Sequence, residues 1–302
     1  MSTPPYILVV GSSNTDMVIN SHHLPAPGET IIGSTFFMNP GGKGANQAVA
    51  AARLGGHVTF ICKTGNDIFG KRSLQLLHAE GINTSYILVD NENPSGIALI
   101  TVNREGENCI VVASGSNAAL RVSDLASLKE IIQKANTVLL QLEIPLSTVE
   151  FVAATAKAAG VKVILNPAPA AHLPDQLLKN VDIVTPNETE AEMLTGIPII
   201  DEVSATLAAE KLKSKGIKTV IITMGAQGAL LLNDDCCKII PSISVKAVDT
   251  TAAGDVFNGA LAVALSENYS ISDAISFACK SAAISVTRLG AQASAPYKHE
   301  IF

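Results

Sequence analysis

The sequence predicts an α/β fold in a single domain over residues 1–302: a mostly parallel central sheet with helices on both faces, plus a small β-sheet lid. Two observations predict the main body. Short, wholly apolar runs bounded by turn residues recur along the chain, as in strands buried on both faces. Between them lie stretches with one apolar face at helical spacing. A third observation predicts the lid: two early regions, about 12–38 and 95–113, break the alternation with strand-like segments joined by turns. These are too few to stand alone but suit a small sheet laid over one edge of the body.

In chain order, buried strands are expected at YILVV (6–10), VTFIC (58–62), TVLLQL (137–142), VKVIL (161–165), DIVT (182–185) and TVIIT (219–223). Helices are expected over 44–54, 68–79, 123–135, 147–159, 189–194 and 203–215. The lid strands are read at MVIN, IIGSTFF, SGIALITVN and NCIVVA, the last two joined by a turn at 104–107. AQGALLLNDDCCKII reads as a hairpin turning at Asn233, Asp234 and Asp235, and two helices follow at about 254–268 and 271–286.

Of the 302 residues, 47% are hydrophobic and 16% charged, with a formal net charge of -6. That balance suits a compact core and argues against nucleic acid or an anionic membrane as the main partner. No apolar run approaches the ~18 residues of a membrane span. The first residues carry no basic segment ahead of their short apolar run, so the cytoplasm is expected. The five cysteines are odd in number and form no C-x-x-C pair, which fits thiols in a reducing compartment; the six histidines show no metal-binding spacing.

Two stretches carry chemistry. NPGGKGANQA (39–48) sets a lysine among glycines just ahead of a helix, but Gly44 follows Lys43 where a phosphate-cradling P-loop needs Ser or Thr. In AVDTTAAGDVFNGALAVAL, from Ala247, the small residues Ala252, Ala253 and Gly254 precede an apolar helix, so free backbone N–H groups converge at its positive end as a ready anion site. Asp255 stands in that first turn, where a carboxylate could also do no more than complement the helix dipole. Both turns open helices at expected carboxyl ends of strands, where α/β sheets bind ligands.

Together these stretches resemble the two signatures of the ribokinase-like (PfkB) carbohydrate kinases, joined by NPAPA (166–170), TPNETEAE (185–192) and VTRLGAQ (286–292). The resemblance runs from about Leu8 to Pro296. It implies a ribokinase-like, Rossmann-type three-layer sandwich with a lid, and ATP-dependent phosphorylation of D-ribose at its 5-hydroxyl, with Mg2+ and K+ as cofactors. By the resemblance, Asn14, Asp16, Gly41, Gly42, Lys43, Asn46 and Glu143 bind the sugar. Asp255 is the general base, and the amides of Ala252, Ala253 and Gly254 form the anion hole. Asn187, Thr223, Gly225, Gly228 and Gly254 meet the nucleotide, and Glu190 helps organise magnesium through water. Asp249, Thr251, Ser285, Arg288, Gly290 and Ser294 match a potassium site. Cys279 is a departure at a position on the adenine side.

The residues themselves leave plainer readings open: Asn14 and Asp16 as turn residues, Glu143 as a strand-end acid, and Asn187 with Glu190 as a helix capping box. Alternatives in function are a kinase for 2-deoxyribose, another pentose or a nucleoside such as adenosine, and a non-catalytic sugar sensor. A dinucleotide oxidoreductase is disfavoured because VVGSSNTD stands where G-x-G-x-x-G belongs. The resemblance further implies a homodimer paired through the lid, to which IIGSTFF could contribute an apolar face.

Overall fold

The structure, a computed structural model, describes residues 6–301. The chain opens with β1 (Tyr6–Val10), enters the lid through β2 (Asn14–Asn20) and β3 (Phe36–Gly41), and returns to the body with α1 (Lys43–Arg53). Next come β4 (His57–Ile61), β5 (Lys63–Gly65), α2 (Ile68–Ala79) and β6 (Leu88–Asp90), then the second lid pair, β7 (Gly96–Val102) and β8 (Asn108–Ala113). Short helices α3 (Val122–Leu125) and α4 (Lys129–Gln133) lead to β9 (Thr137–Leu140), α5 (Leu146–Ala158), β10 (Lys162–Leu165) and α6 (Asp175–Leu178). They are followed by β11 (Ile183–Val184), α7 (Glu188–Thr195), α8 (Glu202–Lys213) and β12 (Thr219–Thr223). A hairpin of β13 (Ala229–Leu232) and β14 (Cys237–Ile240) precedes α9 (Ala253–Ser266) and α10 (Ile271–Ser285).

The main sheet runs β14-β13-β12-β11-β10-β9-β1-β4, parallel from β12 to β4 and antiparallel at β13 and β14. Because side chains alternate along a strand, each strand feeds two cores. Leu8 and Val10 of β1 join the core that includes Val149, Val152 and Leu212, while Ile7 and Val9 join the one that includes Val49, Leu261 and Ala278. On the second face α1 and α9 approach closely: a Cβ on Gly259 would stand 2.8 Å from Ala50 Cβ and 2.9 Å from Ala51 N. Small residues here bring the start of α1 beside the start of α9. The lid is a separate sheet in the order β3-β2-β7-β8, parallel only between β2 and β7. Among the described residues no helix is long and apolar enough to cross a membrane.

Three expectations need correction. IIGSTFF is not a strand: β3 begins at Phe36, and residues 21–35 are irregular. Ile32 is 97% exposed, so it has nothing to pack against, and the strand runs instead into the glycine motif as far as Gly41. The single helix expected over 123–135 is broken into α3 and α4 by a 3-10 turn at Ala126–Leu128. Lys63 Nζ draws the first piece inward, donating to Asp124 Oδ2 and to Ala119 O at 3.0 Å each, and serine and aspartate weaken helix propensity there. The small parallel pair β5 and β6 was not anticipated; three-residue strands give no readable alternation.

Candidate active site

The site lies at the carboxyl ends of the parallel strands. On the sugar side, the glycine motif packs on the loop after β1. Gly42, the N-cap of α1, has φ +89°, and a Cβ on it would come within 2.7 Å of Asn14 N; one on Gly44 would stand 2.6 Å from Ser12 N. A Cβ on Gly41 would fall on the Asp16 carboxylate. The glycines are therefore required by contact between two backbone segments and by the seat of Asp16, in addition to any approach of a ligand. Glu143, just past β9, fastens the two segments: its Oε2 accepts from Ser12 Oγ and from Lys43 N at 3.0 Å. Asn14 Oδ1 accepts from Asn117 Nδ2 at 2.7 Å, and Gly96 leaves the room for that bond.

These residues border a cleft of about 340 Å³ lined by Asn14, Asn117, Glu143 and Val112 of the lid, among others. Asp16 and Lys43 are half-buried, and among the described residues neither side chain has a hydrogen-bond or ion-pair partner. Burial, with Glu143 and Asp255 nearby, pushes the Asp16 carboxyl up to about 6. Burial pulls Lys43 down, but Asp255, Glu143, Glu190 and Asp16 outweigh it, so its ammonium is held above the usual lysine range. An acceptor and a cation, each without a partner among the described residues and each in the electrostatic field of Glu143 and Asp255, can recognise a polyhydroxylated ligand.

Asp255 sits in the first turn of α9 and is 6% exposed. Its Oδ2 accepts from Asn46 Nδ2 at 2.9 Å and its Oδ1 from Gln47 Nε2 at 3.0 Å. Burial raises its pKa, against the opposing pull of Lys43, Asn46 and Gln47. The turn before it is unusual: Ala252 adopts φ 59° and ψ 14°, a left-handed conformation that costs a non-glycine residue about 1 kcal/mol or more. Of the three amides proposed for an anion hole, that of Ala253 makes a long turn bond to Thr250 O at 3.3 Å. Those of Ala252 and Gly254 have no partner among the described residues. A Cβ on Gly254 would meet nothing within 4 Å, so the chain borders free space here.

That space is a second cleft of about 590 Å³ lined by Asn187, Thr223, Gly225, Gly228, Ala253 and Gly254 among others. Its far wall is apolar and includes Ile243, Val245, Cys279, Ala282 and Val286, a surface suited to a flat heteroaromatic ring. Cys279 is buried, and burial pushes its thiol up to about 12, so it contributes an uncharged wall. Gly228 has φ +104°, and a Cβ on it would meet Ile240 O, so the turn after β12 demands glycine. Asn187 and Glu190 form the capping box read in the sequence, with Asn187 Oδ1 accepting from Glu190 N at 2.8 Å and Glu190 Oε2 from Asn187 N at 2.9 Å. Burial raises the Glu190 carboxyl, and it shares the electrostatic field of Lys43 and Asp255.

The loops expected to hold potassium do meet. Asp249 accepts from Thr251 N at 2.9 Å and from Gly290 N at 2.8 Å. Ser285 and Ser294 are buried and donate to Ala282 O and Ala291 O, which leaves their hydroxyl oxygens as acceptors. The Arg288 guanidinium is turned away to Glu300, so only its carbonyl can serve a cation. One carboxylate with backbone carbonyls and hydroxyls is an all-oxygen donor set, of the kind that suits a hard cation.

Sequence reasoning did not assign Ser12, Gln47, Asn117, Gln141 and Asn166, although Gln47 lies inside the quoted motif and Asn166 opens NPAPA. A buried Gln or Asn has no periodic signature; proximity of Gln47 to Asn46 was the available signal.

A model of the pfkB family carbohydrate kinases matches residues 4–298. The chain is 48% identical to a ribokinase of Haemophilus influenzae over 294 residues, covering 97% of this chain and 96% of that one. It is 39% identical to a deoxyribokinase of Salmonella typhi over 291 residues, covering 96% and 95%. The solved structure of Arabidopsis thaliana ribokinase complexed with ribose and ATP superimposes with a TM-score of 0.93 at 35% identity, covering 99% of this chain and 98% of that one. A match this continuous, over a site with a buried acid at a helix start whose first residues line a cleft, leads to one assignment: the chain belongs to the pfkB family of carbohydrate kinases.

Proposed function

We propose that this carbohydrate kinase transfers the γ-phosphoryl group of ATP to the 5-hydroxyl of D-ribose, giving ribose 5-phosphate and ADP. The observation that carries this reading is Asp255: a buried carboxylate, oriented at both oxygens, in the first turn of the helix whose Ala253 and Gly254 line the larger cleft, and in the electrostatic field of Glu143, which lines the smaller one. Ribose occupies the cleft of Asn14 and Glu143, with Asp16 accepting from vicinal hydroxyls and Lys43 donating. ATP occupies the larger cleft, its phosphates toward Gly254. Asp255 takes the hydroxyl proton, the ribose oxygen bonds to the γ-phosphorus, and the bond to ADP breaks. The amides of Ala252 and Gly254 hold charge on the transferring group.

Glu190, with one oxygen committed to the capping box, would hold magnesium through water, and that ion neutralises phosphate charge when bound. Asp249 with the carbonyls or hydroxyls of Thr251, Ser285, Arg288, Gly290 and Ser294 would hold potassium, which steadies the loops flanking the anion hole. A cytoplasmic enzyme is supported by five free cysteines. A homodimer is supported by the lid face opposite the cleft-lining Val112, where the paired Leu99 and Val111 stay exposed.

A panel of ribose, 2-deoxyribose and adenosine with ADP formation as readout tests the substrate; the deoxyribokinase relative makes 2-deoxyribose the competitor to beat. Ribose should give the highest kcat/KM, and Asp255→Asn should lower kcat by roughly 10²- to 10⁴-fold with ribose affinity nearly intact. Phosphorylation of adenosine in preference to ribose, or near-normal turnover of Asp255→Asn, would refute the assignment.

A further inference from the structure

Behind Asp255 the buried polar side chains close into a ring. Gln47 is fully buried and spends every polar atom of its side chain. Its Nε2 donates to Asp255 Oδ1 and to Asn166 Oδ1, both at 3.0 Å, and its Oε1 accepts from Gln141 Nε2. From Asn166 the ring continues through Nδ2 to Thr185 O at 3.2 Å, and from Thr185 Oγ1 to Asn258 Oδ1 at 2.6 Å. Asn258 Nδ2 closes it on Gly254 O at 2.8 Å, next in the chain to Asp255. The ring joins the ends of β10 and β11 to α1 and α9.

Chemistry permits one orientation of the Gln47 amide. Turned half a circle, Oε1 would face the Asp255 carboxylate and Asn166 Oδ1, while NH2 would face the NH2 of Gln141; every contact would become repulsive. Asp255 Oδ1 is thus tied on the core side, to a residue with no solvent contact. Among the described residues Oδ2 is tied only to Asn46, whose own Oδ1 has no partner there and which belongs to the glycine motif.

We propose that Gln47 is a positioning residue for the catalytic base: it turns Oδ1 into the core so that Oδ2 receives the sugar hydroxyl proton, and Gln141 and Asn166 fix Gln47 in turn. The inference rests on the reading of Asp255 as base. As a donor to the ionised carboxylate, Gln47 also opposes the upward push of burial on that group. The charged groups facing Asp255 are Lys43, Glu143, Asp16 and Glu190, and a change at Gln47 leaves all four in place.

The test is the pH profile of kcat at saturating ribose and ATP for the wild type and Gln47→Met, with ribose affinity measured separately by calorimetry. Losing a hydrogen bond to a charged group should lower kcat on the order of 10- to 100-fold. The acid limb should move to higher pH by about one unit, with ribose affinity little changed. If Gln47→Met does not fold, as judged by circular dichroism, Gln141→Met, one step removed, should shift the limb in the same direction by less. A folded variant whose limb coincides with wild type, whether turnover is normal or reduced equally at every pH, removes the role of Gln47 alone. A wild-type chain inactive on ribose refutes the functional reading and this inference with it.

Discussion

Asp16 shows how one side chain ties recognition to proton concentration. Its carboxylate is seated over Gly41, has no donor among the described residues, and is pushed up to about 6 by burial and by Glu143 and Asp255. The ionised form accepts at both oxygens, whereas protonation turns one of them into a donor and removes the charge. Ribose affinity without ATP should therefore be full above this value and weaken as pH falls through it, approaching tenfold per pH unit on the acid side. Calorimetry from about pH 5 to about pH 7 checks this, and Asp16→Asn should bind weakly with no such slope. A wild-type affinity flat across that range would place Asp16 outside the sugar pocket. Asp16 could be named from the sequence because GSSNTD follows an obvious strand, whereas its elevated pKa depends on acids 127 and 239 positions away along the chain (143 − 16 and 255 − 16).

The two helix starts, α1 and α9, both carry glycines, but for different reasons. Gly44 is pressed on Gly11 and Ser12, with no room for a Cβ, whereas Gly254 faces open space. Gly44→Ala should destabilise the fold by about 1–3 kcal/mol through backbone displacement and weaken ribose binding along with it. Gly254→Ala should leave thermal unfolding within about 0.5 kcal/mol of wild type yet raise the ATP KM. Thermal unfolding paired with steady-state kinetics distinguishes them, and equal loss of stability in both would contradict the packing described. Long elements such as α2, α9 and α10 were legible because their apolar spacing matches the helical period, and Asn187 with Glu190 because a capping box is local. The break between α3 and α4 was not, since it answers to Lys63 about sixty residues earlier.

The protein as assembled divides between a body closed on both sides and a lid with one side open. Every residue of β8 is exposed, and Ile110, Val111 and Val112 form an apolar run on an edge strand, a surface that needs a cover. Val111→Lys should convert a dimer to a monomer in sedimentation velocity while leaving unfolding of the body unchanged; a wild type that sediments as a monomer at micromolar concentration would overturn this. The alternation of strands and helices made the body readable. That the exposed apolar strand of the lid is β8 and not IIGSTFF was not, because exposure depends on the assembled sheet and leaves no period in the chain.

The close crossing at Gly259 has a consequence for biosynthesis. The sugar loop leaves the ribosome early, but Ala50 and Ala51 meet Gly259 only when α9 is made some two hundred residues later. Until then a nascent chain carries the glycine motif without the base. Competence to phosphorylate thus arrives in one step near the end of translation, and a chain cut short before Ala253 is inert by construction of the fold.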